Sequence, residues 1–541
     1  MKTKYRNLSL ALVLVLVIAM LAGCGGSSGG SSSATAAPAD NSAPADSSAA
    51  APNEDKMFNI VLTAAFSGFD PLRTNDSAST YVNAQIYETL YRIDPATGEY
   101  ICLLAESLPE FSEDGLTATV KLRQGISFHN GEPFNSAAVM NTFELIKDPD
   151  FGSARASIAN SIESMECPDD YTIVFHLKYE DGVLTAKLAH TNSAIVPPEA
   201  QKSQDLMVQP VGTGPYKFVS SVSGANVVLT ANEDYWGGAP AIKNVTMTVI
   251  TEESTALARM QTGEADFMPN VSVEAVPRVQ AMPGVVFGTS EGTQVTYMML
   301  RSASYTNPIM AEPEFRKALC MAVNTEGYVE DMMEGYAVPA ESVIGPKITG
   351  FDEEATTHHI PYDPAGARAI LDAHPGWADE PIVMLVPTTT TYESIATYFQ
   401  ANLIDAGFTN IKYEPIDWAA WLNESKSPDR FDITFAAWSN VTRDGSELFE
   451  PNFHSINGSK RIYFADADAA VINEFIDKSK TTSDIAVRTE NLLGVNDYLQ
   501  DNAFVQPIMH GMNLFCYNEA YKGVTRDPGG TFYIIDISYA D

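Results

Sequence analysis

Seven consecutive residues, Trp438-Ser439-Asn440-Val441-Thr442-Arg443-Asp444, bring together an aromatic ring, amide and hydroxyl groups and both signs of charge. Such a set suits a small zwitterion. Trp438 offers a flat apolar wall, Asp444 an acceptor for an ammonium, and Arg443 a planar fork for a carboxylate, with Asn440 and Thr442 adding hydrogen-bonding groups. The same residues also suit a solvated loop around a half-buried tryptophan, and composition alone leaves both readings open. Other patterns carry less. Gly26, Ser28 and Gly30 spell G-x-S-x-G, but no strand–turn–helix surrounds the serine. His358 and His359 are adjacent, so their side chains point apart, and with no third ligand nearby they read as a solvated loop rather than a metal site. His129 reads as a turn residue. Neither H-E-x-x-H nor G-x-x-x-x-G-K-S/T occurs. No catalytic set, cofactor or metal is therefore expected.

A loop of this kind needs a frame. Ile382–Val386 reads as a buried strand and is followed by a helix carrying Ile395, Phe399 and Leu403. Ile411–Glu414 is a second strand, Trp418–Asn423 a short helix and Ile433–Ala437 a third strand. Strands alternating with helices predict a mostly parallel sheet covered on both faces. In open α/β sheets, ligands bind beyond the carboxyl ends of the strands. Two loops then qualify: Pro387–Thr391, with Thr388, and Trp438–Asp444. Helices over 468–478 and 487–499 and a strand-like stretch over 504–515 follow. Upstream, Met57–Ala64 reads as a strand, Gly68-Phe69-Asp70-Pro71 as a turn and Tyr81–Tyr91 as a helix. Leu116, Ala118, Val120 and Leu122 alternate with polar residues, as do Tyr171, Ile173, Phe175 and Leu177, which is the period of half-buried strands. Between them Ser136 caps a helix whose apolar face is Val139, Phe143 and Ile146. Roughly 100–210 is thus a small α+β unit.

Longer motifs stand on this frame. Leu104-Ala105-Glu106, Asp114-Gly115-Leu116-Thr117 and the run from Leu122 through His129-Asn130-Gly131-Glu132-Pro133-Phe134 come first. Gly212-Thr213-Gly214-Pro215-Tyr216, Asn232-Glu233-Asp234-Tyr235-Trp236, Gly263-Glu264-Ala265-Asp266, Phe315-Arg316-Lys317-Ala318-Leu319 and Tyr362-Asp363-Pro364 follow in order. Together they resemble the signature of the extracellular solute-binding proteins of family 5, the peptide, dipeptide, glutathione and nickel binders of ABC importers. The resemblance implies an α/β fold of the periplasmic-binding-protein type (type II, cluster C), with two large lobes around a cleft and a third, smaller α+β subdomain. Lobe I would comprise 57–99, the small subdomain 100–210, then 211–296 and a C-terminal return over 506–541; lobe II would be 297–505. The Trp438 loop occupies the family's ligand loop. Many relatives place an Asp three residues after this Trp to hold a peptide amine; here that position is Val441 and the acid stands at Asp444. The pattern is closer to the glutathione-type branches. Tyr297 stands where relatives place a cleft aromatic, and Arg301 where they often carry Asn. With Phe69 and Thr388, these complete the candidate ligand-binding residues. The expected ligand is a short peptide or peptide-like solute. A nickel chelate or haem, or a sensing role at a membrane receptor, are the rival readings.

The N-terminus supplies an address. Lys2, Lys4 and Arg6 precede an apolar run from Leu8 to Ala22, shorter than the roughly 20 residues of a spanning helix. Ala22-Gly23-Cys24 resembles the lipobox of bacterial lipoproteins. It implies a signal peptide over 1–23, cleavage before Cys24 and lipidation of its sulfur. Residues 24–56 are Gly, Ser, Ala, Pro and Asp with few large apolar groups, a tether whose reach is on the order of 30 Å. The expected location is the outer face of the cytoplasmic membrane, with the bilayer and the permease and ATPase of an importer as partners. The chain of 541 residues is long enough for two or three packed units. A formal net charge of −36 repels nucleic acid. A monomer is expected. Cys102, Cys167, Cys320 and Cys516 stand alone at wide spacings, compatible with disulfides or free thiols.

Overall fold

Where alternation is clearest, strands form as the pattern dictates. Thr117–Lys121 and Thr172–Leu177 pair antiparallel, with Val120 opposite Ile173 and Ala118 opposite Phe175, all four fully buried. In this computed structural model, which describes residues 56–94, 99–302, 307–346, 348–352, 358–456 and 461–540, they are the middle of a four-stranded sheet. Cys24, the Gly26–Gly30 pattern and the tether lie outside the described residues, apart from Lys56. Helix Ser136–Lys147 covers the small sheet with Val139, Phe143 and Ile146, and the Phe143 ring meets Phe175 edge-on at 5.3 Å. Its cap is Asn135 rather than Ser136: the Asn135 side chain accepts from the Ala138 N–H at 3.1 Å.

The main sheet is mixed. Its order is Ile411–Ile416, Ile382–Pro387, Ile433–Ser439, Val285–Leu300, Val505–Asn518, Phe267–Met268, Met57–Leu62, Asn244–Val249, Asn226–Ala231 and Tyr216–Val222. The expected parallel pairing holds for the first three strands, and Met57–Leu62 is parallel to Asn244–Val249. The remaining long pairings are antiparallel. The first helix spans Ser77–Ile86 rather than 81–91. Asp76 caps it by accepting from the Ser79 N–H at 2.8 Å, and the chain turns extended at Tyr87.

Separate apolar cores divide the sheet. One, shared by Met57–Leu62, the helix Ser77–Ile86 and the small subdomain, includes Phe58, Val82, Val120 and Phe143. Two others cover opposite faces of the second lobe: Met298, Met384 and Phe435 on one side, Tyr297, Trp421 and Phe449 on the other. The strands Val285–Leu300 and Val505–Asn518 pass between the lobes. Phe287 and Leu514 pack with the first lobe, Val295 and Met509 with the second. The change of core therefore falls near Gly292 and Gly511.

The family motifs have structural jobs. A Cβ on Gly212 would lie 2.1 Å from the Ile86 carbonyl oxygen, and one on Gly214 2.7 Å from that of Gln85. His129 Nε2 bonds the Gly214 carbonyl at 2.8 Å, and burial pushes its pKa down to about 4. Arg316 is buried, donating to the carbonyls of Met310, Ala311 and Asn502. The four described cysteines are free thiols. Gly212→Ala is expected to destabilise the chain by about 1–3 kcal/mol, since backbone must move to admit the methyl group. The urea midpoint reads this directly.

Candidate functional site

Between the lobes lies a cavity of about 720 Å³, within the range of small-molecule sites. The first lobe contributes Tyr81 from the helix Ser77–Ile86, Asn270 and Glu274 after the strand Phe267–Met268, and the turn Gly529–Thr531. The small subdomain adds Arg155 and His190. The second lobe contributes Tyr328 and Met332 from one helix, Thr390 and Thr391 at the start of another, and Trp418, Trp438, Ser439 and Val441. Gln294 and Gly511 of the crossing strands form its back.

The walls are aromatic and held firmly. Trp418 is 40% exposed and opens the helix Trp418–Glu424, just past the strand Ile411–Ile416. Its ring stacks on Trp421 at 5.0 Å and on Tyr392 at 6.1 Å, and Trp421 Nε1 donates to Thr434 at 2.9 Å. Trp438 is half-buried, and its indole N–H is buried without a partner among the described residues. The Arg155 guanidinium lies 5.3 Å from its ring. Arg526 donates from all three nitrogens, to Gly530 O, Pro269 O and the Tyr81 hydroxyl. Met332 and Met512, 41% and 40% exposed, add pliable apolar surface.

Of the residues marked in the sequence, the structure brings only Trp438 to this cavity, with its neighbours Ser439 and Val441. Asp444 is a correction. It is 5% exposed, ion-paired with the buried Arg488, and accepts from Ser446 N at 3.0 Å and Ser446 Oγ at 2.6 Å. Asn440 is also turned inward, bonding the Asp444 carbonyl at 2.8 Å and its N–H at 3.0 Å. Thr442 donates through its N–H and hydroxyl to Glu447, each at 2.7 Å. Arg443 takes φ of +55°, lies outside the cavity wall and has its pKa lowered by burial. These four residues shape the loop rather than face a solute.

The other candidates are corrected in the same way. Tyr297 is fully buried beside Phe453, and burial raises its hydroxyl pKa. Arg301 is fully buried over the Phe431 ring at 3.9 Å and donates to the carbonyls of Ser425, Ser427 and Arg461; burial lowers its pKa to about 10. Phe69 packs between Phe66 and Phe218 in the first core. Thr388 is exposed and its N–H donates to Ile416 O at 2.8 Å, while Thr390 and Thr391 of the same loop line the cavity. His358 pairs with Asp501 at 2.8 Å and Asp497 at 3.5 Å. Among the described residues no group of three or more His, Cys, Asp and Glu is placed to hold a metal ion. Trp418 was legible by the strand-end rule; Tyr81, Arg155 and Glu274 gave no sequence signal.

Two separately cored lobes are thus joined by two strands, with an aromatic-walled cavity at their seam. The chain belongs to the bacterial extracellular solute-binding proteins, family 5, whose model matches residues 99–460. It is 32% identical over 315 residues to the glutathione-binding protein GsiB of Pectobacterium atrosepticum, covering 58% of this chain and 60% of that one. The chain thus spans about three fifths of that relative's length. Its fold is that of a dipeptide binding protein from Pseudoalteromonas sp. SM9913 solved with Met-Leu, with TM-score 0.79 and 19% identity, covering 90% of this chain and 100% of that one. The oligopeptide-binding protein AppA of Bacillus subtilis, solved with a nonapeptide, gives TM-score 0.77 and 21% identity, covering 90% and 99%.

Asp444→Ala would strand the buried Arg488 guanidinium. It is expected to cost about 3–5 kcal/mol of stability, measured by urea denaturation. An unchanged midpoint would place Asp444 back among residues free to meet a ligand.

Proposed function

We propose that the chain is the substrate-binding protein of an ABC importer, held at the outer face of the membrane through a lipid on Cys24. It captures a short peptide or peptide-like solute between its lobes and passes it to a permease. The observation that carries this reading is the cavity of about 720 Å³ lined from both lobes and backed by the crossing strands. A solute touching both walls stabilises the closed arrangement, because contacts available in only one state shift the balance toward it. The ligands named for GsiB and for the two solved relatives, glutathione, Met-Leu and a nonapeptide, are peptides, which supports the ligand class.

Trp418 and Trp438 are the residues proposed to hold the solute. Rigid aromatic faces contribute contact area at small entropic cost. The mobile partners, a permease and its ATPase, follow from the importer reading.

A thermal-shift panel of di-, tri- and tetrapeptides, reduced glutathione, nickel chelates and haem tests the assignment. A true ligand at 100 times its Kd adds about 2.7 kcal/mol of stability. Stabilisation by haem or a nickel chelate alone would replace the peptide reading. For any peptide that binds, Trp418→Ala and Trp438→Ala should each weaken affinity by about tenfold or more. Calorimetry showing parental affinity in both variants would remove the two tryptophans from the site.

A further inference from the structure

At the edge of the cavity, the lobes meet at a second place. Glu447, on the helix Ser446–Phe453, belongs to the second lobe: its neighbours Leu448 and Phe449 pack in that core. Its side chain is only 8% exposed. One carboxylate oxygen accepts from Thr442 of its own lobe. The other faces Arg155 at 3.5 Å and His190 at 3.7 Å, both from the small subdomain of the first lobe. His190 is 5% exposed, and its Nδ1 accepts from the Asn192 N–H at 3.0 Å, which leaves the proton on Nε2, toward Glu447. Arg155 is itself held to the first lobe by Asn75 Oδ1 at 3.2 Å. Burial alone would favour a protonated Glu447, yet His190 and Arg155 bring its pKa below the ordinary value. The carboxylate is thus ionised, and the cation that faces it, Arg155, comes from the other lobe.

We propose that Arg155 and Glu447 are a closure latch: a charge pair that lets the seam shut in the chain without ligand and penalises any closed arrangement in which the two do not meet. The physical asymmetry is that of a buried ion pair. Removing one partner leaves the other charge buried and uncompensated, whereas replacing both by neutral groups of similar size is close to neutral. Arg155 also lies over the Trp438 ring, so the latch and the cavity wall share one side chain. Arg155 is a positioning residue in this scheme, acting through Glu447 and not on the solute.

The latch is tested without any ligand, so its fate is independent of which solute the cleft takes. Beside it, Glu180 of the first lobe reaches the Ser483 N–H of the second at 2.7 Å. Glu180→Cys with Ser483→Cys in the full chain makes the oxidative cross-linking rate a measure of the closed population. In that background Arg155→Met should slow cross-linking by about tenfold, and adding Glu447→Gln should return it to within about twofold of the parent. Circular dichroism and urea midpoints verify that each variant is folded. A parental rate in Arg155→Met, a double variant as slow as the single one, or a parent that does not cross-link would each overturn the proposal.

Discussion

Two strands tie the core of one lobe to the cores of the other. Val285–Leu300 and Val505–Asn518 pair antiparallel over most of their length, and they pass from the first lobe to the second between positions 291 and 295 on one strand and near 511 on the other. At that crossing the register shifts between Glu291 and Val295. A bulge bends a strand and increases its twist, and here it falls where the apolar cores change. A Cβ on Gly292 would lie 2.4 Å from the Gly511 carbonyl oxygen, so the two backbones approach there as closely as they do because the residue lacks a side chain. Everything else in each lobe is packed on its own core. The cavity at the seam lies where two such cores are joined by this ribbon.

Much of this frame was legible from residue patterns. The alternation at 116–123 and 171–177 needs only local sequence, and so does the strand–helix alternation from 382 to 439. The strand-end rule picks out two loops that contribute to the cavity wall, and Trp418 also follows a strand end. The failures share a cause: they depend on partners far along the chain. Asp444 looks available until Arg488, 44 residues later, is folded against it. Arg301 looks like a cleft cation until the carbonyls of Ser425, Ser427 and Arg461 surround it. Tyr297 sits on a strand buried on both faces, with Met298 on one core and Tyr297 on the other. Parity along such a strand cannot distinguish a core face from a cleft face.

The Trp438 loop illustrates how one segment divides its labour. Asn440 ties its own loop through the Asp444 main chain, Asp444 neutralises Arg488, and Thr349 bonds the main chain at Arg443 and Gly445. Thr442 satisfies Glu447. These contacts consume every polar side chain from 440 to 444 except that of Arg443. What the loop can still offer the cavity is a ring, a serine and a valine. A fixed aromatic face is therefore a product of the buried polar network behind it, since a mobile loop would lose entropy on each encounter.

The charge distribution of the cavity follows from the same economy. Its lining carboxylates, Asp76 and Glu274, both stand on the first lobe. Asp76 is committed to capping the helix Ser77–Ile86 and to the Ser67 hydroxyl, while Glu274 is exposed. Its lining guanidiniums are likewise occupied, Arg155 by Glu447 and Asn75, Arg526 by Tyr81 and two carbonyls. Among the described residues no lysine lines the wall. The second lobe thus presents aromatic, hydroxyl and apolar surface, Val441 among it. Orientation of a charged solute would then rest on the first lobe, and the second would act chiefly by shape and apolar contact. A charged approach between the halves, Arg155 to Glu447 at 3.5 Å, lies at the seam beside that wall.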